Sequence, residues 1–160
     1  MLEQPRMNLA ETAPEAVRHL LAVEGIISKG LDHTLSHLIK IRASQINGCA
    51  FCIAMHTDAA LKEGERPERL FALSAWRESP LFTERERSAL NWADEITLIA
   101  DHGASRAAYE ELGRHFSKEE IEWMTLLSGM INAWNRLAIS SRLQYDPTTV
   151  ESAQLLVARN

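Results

Sequence analysis

Cysteine is scarce in this chain of 160 residues, which holds only two. Two cysteines cannot build the disulfide framework of a small secreted domain. Three residues apart, they close a tiny loop that adds little stability, so chemistry is the better reason for keeping them. Aromatic residues make up 6% of the sequence, and there are 7 glycines and 5 prolines, which excludes collagen-like and Pro/Gly-rich low-complexity classes. Positive charge is also short, with 17 Lys and Arg against 22 Asp and Glu and a formal net charge of -5. That argues against nucleic acid as a main partner, because neutralising phosphates needs a basic face. No apolar run of membrane length is present. The longest candidate, Ile121 to Ile139, is interrupted by Asn132, Asn135 and Arg136 and reads as a buried helix. The opening Met1-Leu-Glu-Gln-Pro-Arg6 lacks a signal-peptide core, so a cytoplasmic location without a membrane partner is expected.

What is present is helical periodicity. No segment alternates apolar and polar residues over strand length. Thr12-Ala-Pro-Glu15 has the capping-box pattern and predicts a helix from about residue 13, with Gly30 as its stop. Asp32 caps a second helix carrying Leu35, Leu38, Ile39 and Ile46, which Asn47-Gly48 ends. A third helix opens at the cysteines and runs to Glu63, with Gly64 behind it. Pro67 starts a fourth through Trp76, stopped before Pro80. Thr83-Glu-Arg-Glu86 and Ser117-Lys-Glu-Glu120 are further capping boxes, Ser105 begins a short helix, and another is expected after Pro147. With 46% hydrophobic residues and no linker, the chain reads as one all-α domain over 1–160, of seven or eight helices. Ser44-Gln-Ile-Asn47 is faintly echoed by Ser128-Gly-Met-Ile-Asn132, a weak hint of an internal repeat.

The chemistry concentrates at Cys49-Ala-Phe-Cys52-Ile-Ala-Met-His56. On a helix these positions, i, i+3 and i+7, share one face. A helix N-terminus offers free N–H groups and a positive dipole end, which favour thiolate over thiol. His56 lies one turn after Cys52 and is its natural base, leaving Cys49 to resolve the oxidised sulfur. The opposite assignment stays open, since a terminus activates its first cysteine most strongly. A zinc site would use Cys49, Cys52 and His56 with His37 as fourth ligand, but the second separated pair of a structural finger is missing. Ile53 after Cys52 excludes the usual haem attachment, and a thioredoxin fold would need strands. The plainest reading makes the cysteines small buried hydrophobes. No cofactor and no metal are called for. His19, His33, His102 and His115 read as surface or helix-end groups, and the four tryptophans as core or interface. Asp58 is a candidate to orient His56, and Lys40 and Arg42 are candidates to raise thiolate character.

The run Leu38-Ile-Lys-Ile-Arg-Ala-Ser-Gln-Ile-Asn-Gly-Cys-Ala-Phe-Cys-Ile-Ala-Met-His56 resembles the core motif of the AhpD-like alkylhydroperoxidases, in the carboxymuconolactone decarboxylase superfamily. Ala72-Leu-Ser-Ala-Trp-Arg77 and Ile131-Asn-Ala-Trp-Asn135 are similar to later parts of the same group. The resemblance implies an all-helical fold, homo-trimers or homo-hexamers, and thiol-based reduction of hydroperoxides. It implies Cys52 as the peroxidatic cysteine, Cys49 as its resolving partner and His56 as the family histidine. The glutamate that members commonly carry twelve residues before the first cysteine is His37 here, which takes the relay position. The histidine that precedes the second cysteine in the type enzyme is Phe51.

The expected function is a thiol-dependent alkylhydroperoxidase cycling through a sulfenic acid and a Cys49–Cys52 disulfide, with catalytic residues Cys52, Cys49, His56 and His37. Its expected partners are a hydroperoxide and a dithiol reductant, either a dihydrolipoamide-bearing protein or one like thioredoxin. The alternatives are a decarboxylase-like lyase on the same fold, which generally lacks the cysteine pair, and a redox-sensing binding protein.

Overall fold

Local signals place most helix boundaries in the computed structural model, which describes residues 4–145 apart from the side chain of His102. Those residues form nine α-helices and one 3-10 turn, with no strand among them. Helix α1 (Leu9–Thr12) is a single turn, and α2 spans Pro14–Ile27. Helices α3 (His33–Asn47) and α4 (Ala50–Lys62) make an antiparallel hairpin around Gly48. Helix α5 (Pro67–Ala72) tightens into the 3-10 turn Leu73–Ala75. Then come α6 (Glu84–Thr97), the single turn α7 (Ile99–His102), α8 (Arg106–Leu112) and the long α9 (Lys118–Ser141). The all-helical class is as expected. The two single turns raise the count to nine, and the helix expected after Pro147 lies outside the described residues.

The second and third capping boxes form as the sequence predicts. Thr83 and Ser117 each accept from the N3 amide while Glu86 and Glu120 reach back to the cap. The first does not. Ala13 is the cap residue of α2 and has no side-chain bond, because Thr12 belongs to α1 and its hydroxyl donates to the Asn8 carbonyl. Asp32 caps α3 through the Leu35 amide at 2.9 Å. Gly48, at φ +71°, closes α3 in the left-handed conformation that glycine adopts without strain.

Helix α3 is the centre of the packing, with α4, α6 and α9 around it. One apolar cluster joins Leu35 and Ile39 to Trp92, Leu112, Met124 and Leu127. A second joins Leu38 and Ile41 to Leu73, Trp76, Phe82 and Leu90. The third surrounds the cysteines, bringing Ala43, Phe51, Ile131 and Ala138 together with Met55 and Trp134 at its edge. No described helix is long and apolar enough to cross a membrane.

Candidate redox site

The turn that ends α3 also opens α4, and Cys49 stands at that joint as the N-cap residue. Its sulfur accepts the Cys52 amide hydrogen at 3.4 Å. Cys49 and Cys52 are joined by a disulfide, with their Cα atoms 5.4 Å apart. Both residues are almost wholly buried, at 1% and 2% exposure, but only Cys52 reaches the wall of a cavity of about 450 Å³. His56, one turn along α4, is on the same wall. Phe51, Met55, Trp134, Leu137 and Val17 make most of the remainder apolar, and the segment from Pro5 to Ala10 closes one side. That segment is tied to the end of α9 by the Arg6 amide donating to the Ser141 carbonyl at 2.9 Å.

Burial drives the His56 imidazole down to about 3, and the charges of Lys40 and His37 push the same way. In the disulfide form it is therefore neutral. The His37 ring stands 6.5 Å from it, centroid to centroid. His37 Nε2 lies 3.2 Å from Glu63 Oε2, and His33 Nδ1 lies at the same distance from that oxygen. Burial lowers His37 despite this carboxylate. At Glu63 burial is the largest single influence and acts upward, but the charges and hydrogen bonds of His37 and His33 together outweigh it and hold the carboxyl below an ordinary glutamate. The pair is thus a charged carboxylate accepting Nε2–H from a neutral imidazole, which assigns the tautomer from the hydrogen bond. His37 Nδ1 is left as a buried acceptor with no donor among the described residues.

The structure brings together all four expected residues: Cys49, Cys52, His56 and His37. It also adds two that the sequence reading did not single out, Glu63 and Glu24, and it keeps Lys40 near the site. Glu63 ends the His37 line. Lys40 is buried and ion-paired with Glu24, and Glu24 reaches the cavity wall. The signal for Glu63 was available in the hairpin. Two helices folding back at Gly48 place residues some eleven before the turn opposite those some twelve to fifteen after it. Other candidates fall away from the site. Arg42 is bound to Asp94 through two hydrogen bonds of 2.6 and 3.1 Å, and Asp58 pairs with Lys62 at 2.9 Å. Among the described residues no cluster of three or more His, Cys, Asp or Glu side chains is arranged to hold a metal.

Comparison with known proteins bears on this arrangement. A model of the carboxymuconolactone decarboxylase family matches residues 13–95. A solved protein of unknown function from Agrobacterium tumefaciens, suggested to be the antioxidant defence protein AhpD, is 46% identical with a TM-score of 0.87. The match covers 89% of this chain and 99% of that one. The uncharacterized protein YdfG of Bacillus subtilis is 37% identical over 136 residues, 84% of this chain and 92% of its own. The debrominase Bmp8 shares the fold alone, with a TM-score of 0.74 at 16% identity over 89% of this chain and 77% of its own.

Proposed function

The chain belongs to the carboxymuconolactone decarboxylase family, and we propose that within it this protein is a thiol-dependent hydroperoxidase of the AhpD type. One observation carries the reading. Of two cysteines close enough to bond, Cys52 faces a cavity beside a neutral imidazole, and Cys49 sits behind it at a helix N-terminus.

In the reduced protein the Cys52 thiol gives its proton to His56. The thiolate so formed raises the basicity of the adjacent ring, offsetting the burial that holds it neutral in the disulfide form. The thiolate attacks the terminal oxygen of a hydroperoxide. The O–O bond breaks, the alkoxide takes a proton and leaves as the alcohol, and Cys52 becomes a sulfenic acid. The Cys49 thiolate then attacks the Cys52 sulfur. A disulfide forms, and hydroxide leaves as water after taking a proton. A dithiol donor, on a dihydrolipoamide-bearing or thioredoxin-like protein, restores both thiols by exchange and is itself oxidised to a disulfide. His37 and Glu63 form a route from His56 towards solvent, with Glu63 half-exposed at the outer end.

Peroxide consumption driven by dihydrolipoamide or thioredoxin tests the reading. Cys52→Ser is expected to abolish turnover, and Cys49→Ser to leave at most one peroxide consumed per chain. His56→Ala should lose about 10²–10⁴-fold. Full turnover by the Cys52→Ser protein would refute the nucleophile. A wild-type protein inert towards every peroxide and donor would refute the activity.

A further inference from the structure

Cys52 is the cysteine that meets the cavity, yet it is almost wholly buried, and Cys49 behind it is more so. A hydroperoxide or a dithiol therefore needs part of the wall to move before it can touch either sulfur. The helical walls are ill suited to that. Phe51 of α4 and Ala138 of α9 lie in the core cluster that surrounds the cysteines, with Met55 and Trp134 packed against it. Displacing them breaks close-packed core contacts.

The wall made by residues 5–10 is different. It is irregular chain leading into the single turn α1, and Pro5, Met7, Asn8, Leu9 and Ala10 all line the cavity. No residue of α1 is buried, and Met7 is 46% exposed. Bonds inside the turn at residues 8–13 aside, one hydrogen bond ties this stretch to the rest of the described residues, from the Arg6 amide to the Ser141 carbonyl at 2.9 Å. Ser141 is buried and ends α9, so a single backbone bond fastens the stretch to the core. Few buried contacts and few anchoring bonds are the marks of a segment that opens locally at low cost. We propose that residues 5–10 form a strap over the reactive cavity, latched by the Arg6–Ser141 backbone bond, and that its lifting gives hydroperoxide and dithiol their way to Cys52. The inference rests on the peroxidase reading only for the nature of what enters. The lifting itself can be read with a plain dithiol and no peroxide.

The rate at which dithiothreitol reduces the Cys49–Cys52 disulfide tests this. One thiolate of the reagent attacks the Cys52 sulfur, and Cys49 leaves as a thiolate and takes a proton. The second thiol of the reagent then attacks its own sulfur in the mixed disulfide, which frees Cys52 and closes the oxidised ring. When the attack passes through a rarely opened state, the rate scales with the population of that state. Arg6→Pro removes the amide donor of the latch and should speed reduction about two- to tenfold, the equilibrium worth of one net hydrogen bond. Arg6→Ala keeps the amide and should match wild type. In wild type, low urea should raise the rate far less steeply than the full slope of equilibrium unfolding, because only a short segment lifts. Should Arg6→Pro fail to fold, Met7→Ala combined with Leu9→Ala loosens the seat of the strap and should speed reduction likewise. Reduction no faster in the folded strap variants, Arg6→Ala as fast as Arg6→Pro, or a wild-type rate that follows the full unfolding slope would each overturn the strap. A strap that gates reduction in a protein that consumes no peroxide would instead stand while the peroxidase reading falls.

Discussion

Asn47 Nδ2 donates to Asn135 Oδ1 at 2.8 Å, and Asn135 Nδ2 in turn donates to Ser44 Oγ at 2.9 Å. The pair fastens the last turn of α3 to the middle of α9, two residues before Cys49. Asn47 also donates to Asn132 Oδ1 at 2.9 Å. The two stretches that echo each other in sequence meet in space.

Asn135 is wholly buried, so Asn135→Ala strands a hydroxyl and takes one acceptor from an amide. A loss of about 2–3 kcal/mol in urea unfolding is expected. Because the network holds the turn from which the cysteine helix starts, slower reaction of the reduced cysteines with an alkylating reagent should accompany it. A variant as stable as wild type would show that the network is dispensable.

Acid should destabilise the protein through His56. Its folded pKa of about 3 lies below the 6.5 of an ordinary histidine, so between these limits the unfolded chain binds the extra proton. The stabilising contribution of the neutral ring is complete above pH 6.5 and falls as pH drops towards 3. From pH 7 to pH 5 this amounts to about 2 kcal/mol, and His37, also lowered, acts in the same direction. Urea midpoints of wild type and His56→Leu at the two pH values measure it. The substitution should flatten the pH dependence, and an unchanged slope would assign the effect to other groups.

His37 and Glu63 are expected to matter for proton movement more than for folding. His37→Leu and Glu63→Gln should each slow peroxide turnover by about tenfold or more while leaving substrate affinity near wild type. A change in KM with kcat intact would mean that they shape the cavity and do not carry protons.

Gly30 lies against the indole of Trp123, where an added Cβ would fall 2.4 Å from Cδ2. Gly30→Ala should cost about 1–3 kcal/mol, because a packed ring must move. Gly30→Ala with Trp123→Leu should recover part of that loss, which thermal melts of the three variants would show.

The helix ends were legible where a short-range bond fixes them. Asp32, Gly48, Thr83, Ser105 and Ser117 act as their residue types suggest, and the cysteine pair marks its own helix start. Thr12 misled because a competing turn, capped by Asn8, took it up. Lys40 and Arg42, two residues apart on α3, looked equivalent in the sequence. Their partners Glu24 and Asp94 lie on different helices, and these turn one towards the cavity and the other away from it.

The sequence by itself determined the helical class, the joint at Gly48 and the alignment of Cys49, Cys52 and His56, because each depends on neighbours within about two helical turns. Tertiary packing alone decided that Cys52 and not Cys49 meets the cavity, that Glu63 joins His37, and that one oxygen of Glu24 is buried without a hydrogen bond from any described residue. Those outcomes depend on how α2, α3, α4 and α9 pack together, and contacts between groups distant in the chain leave no periodic trace in it.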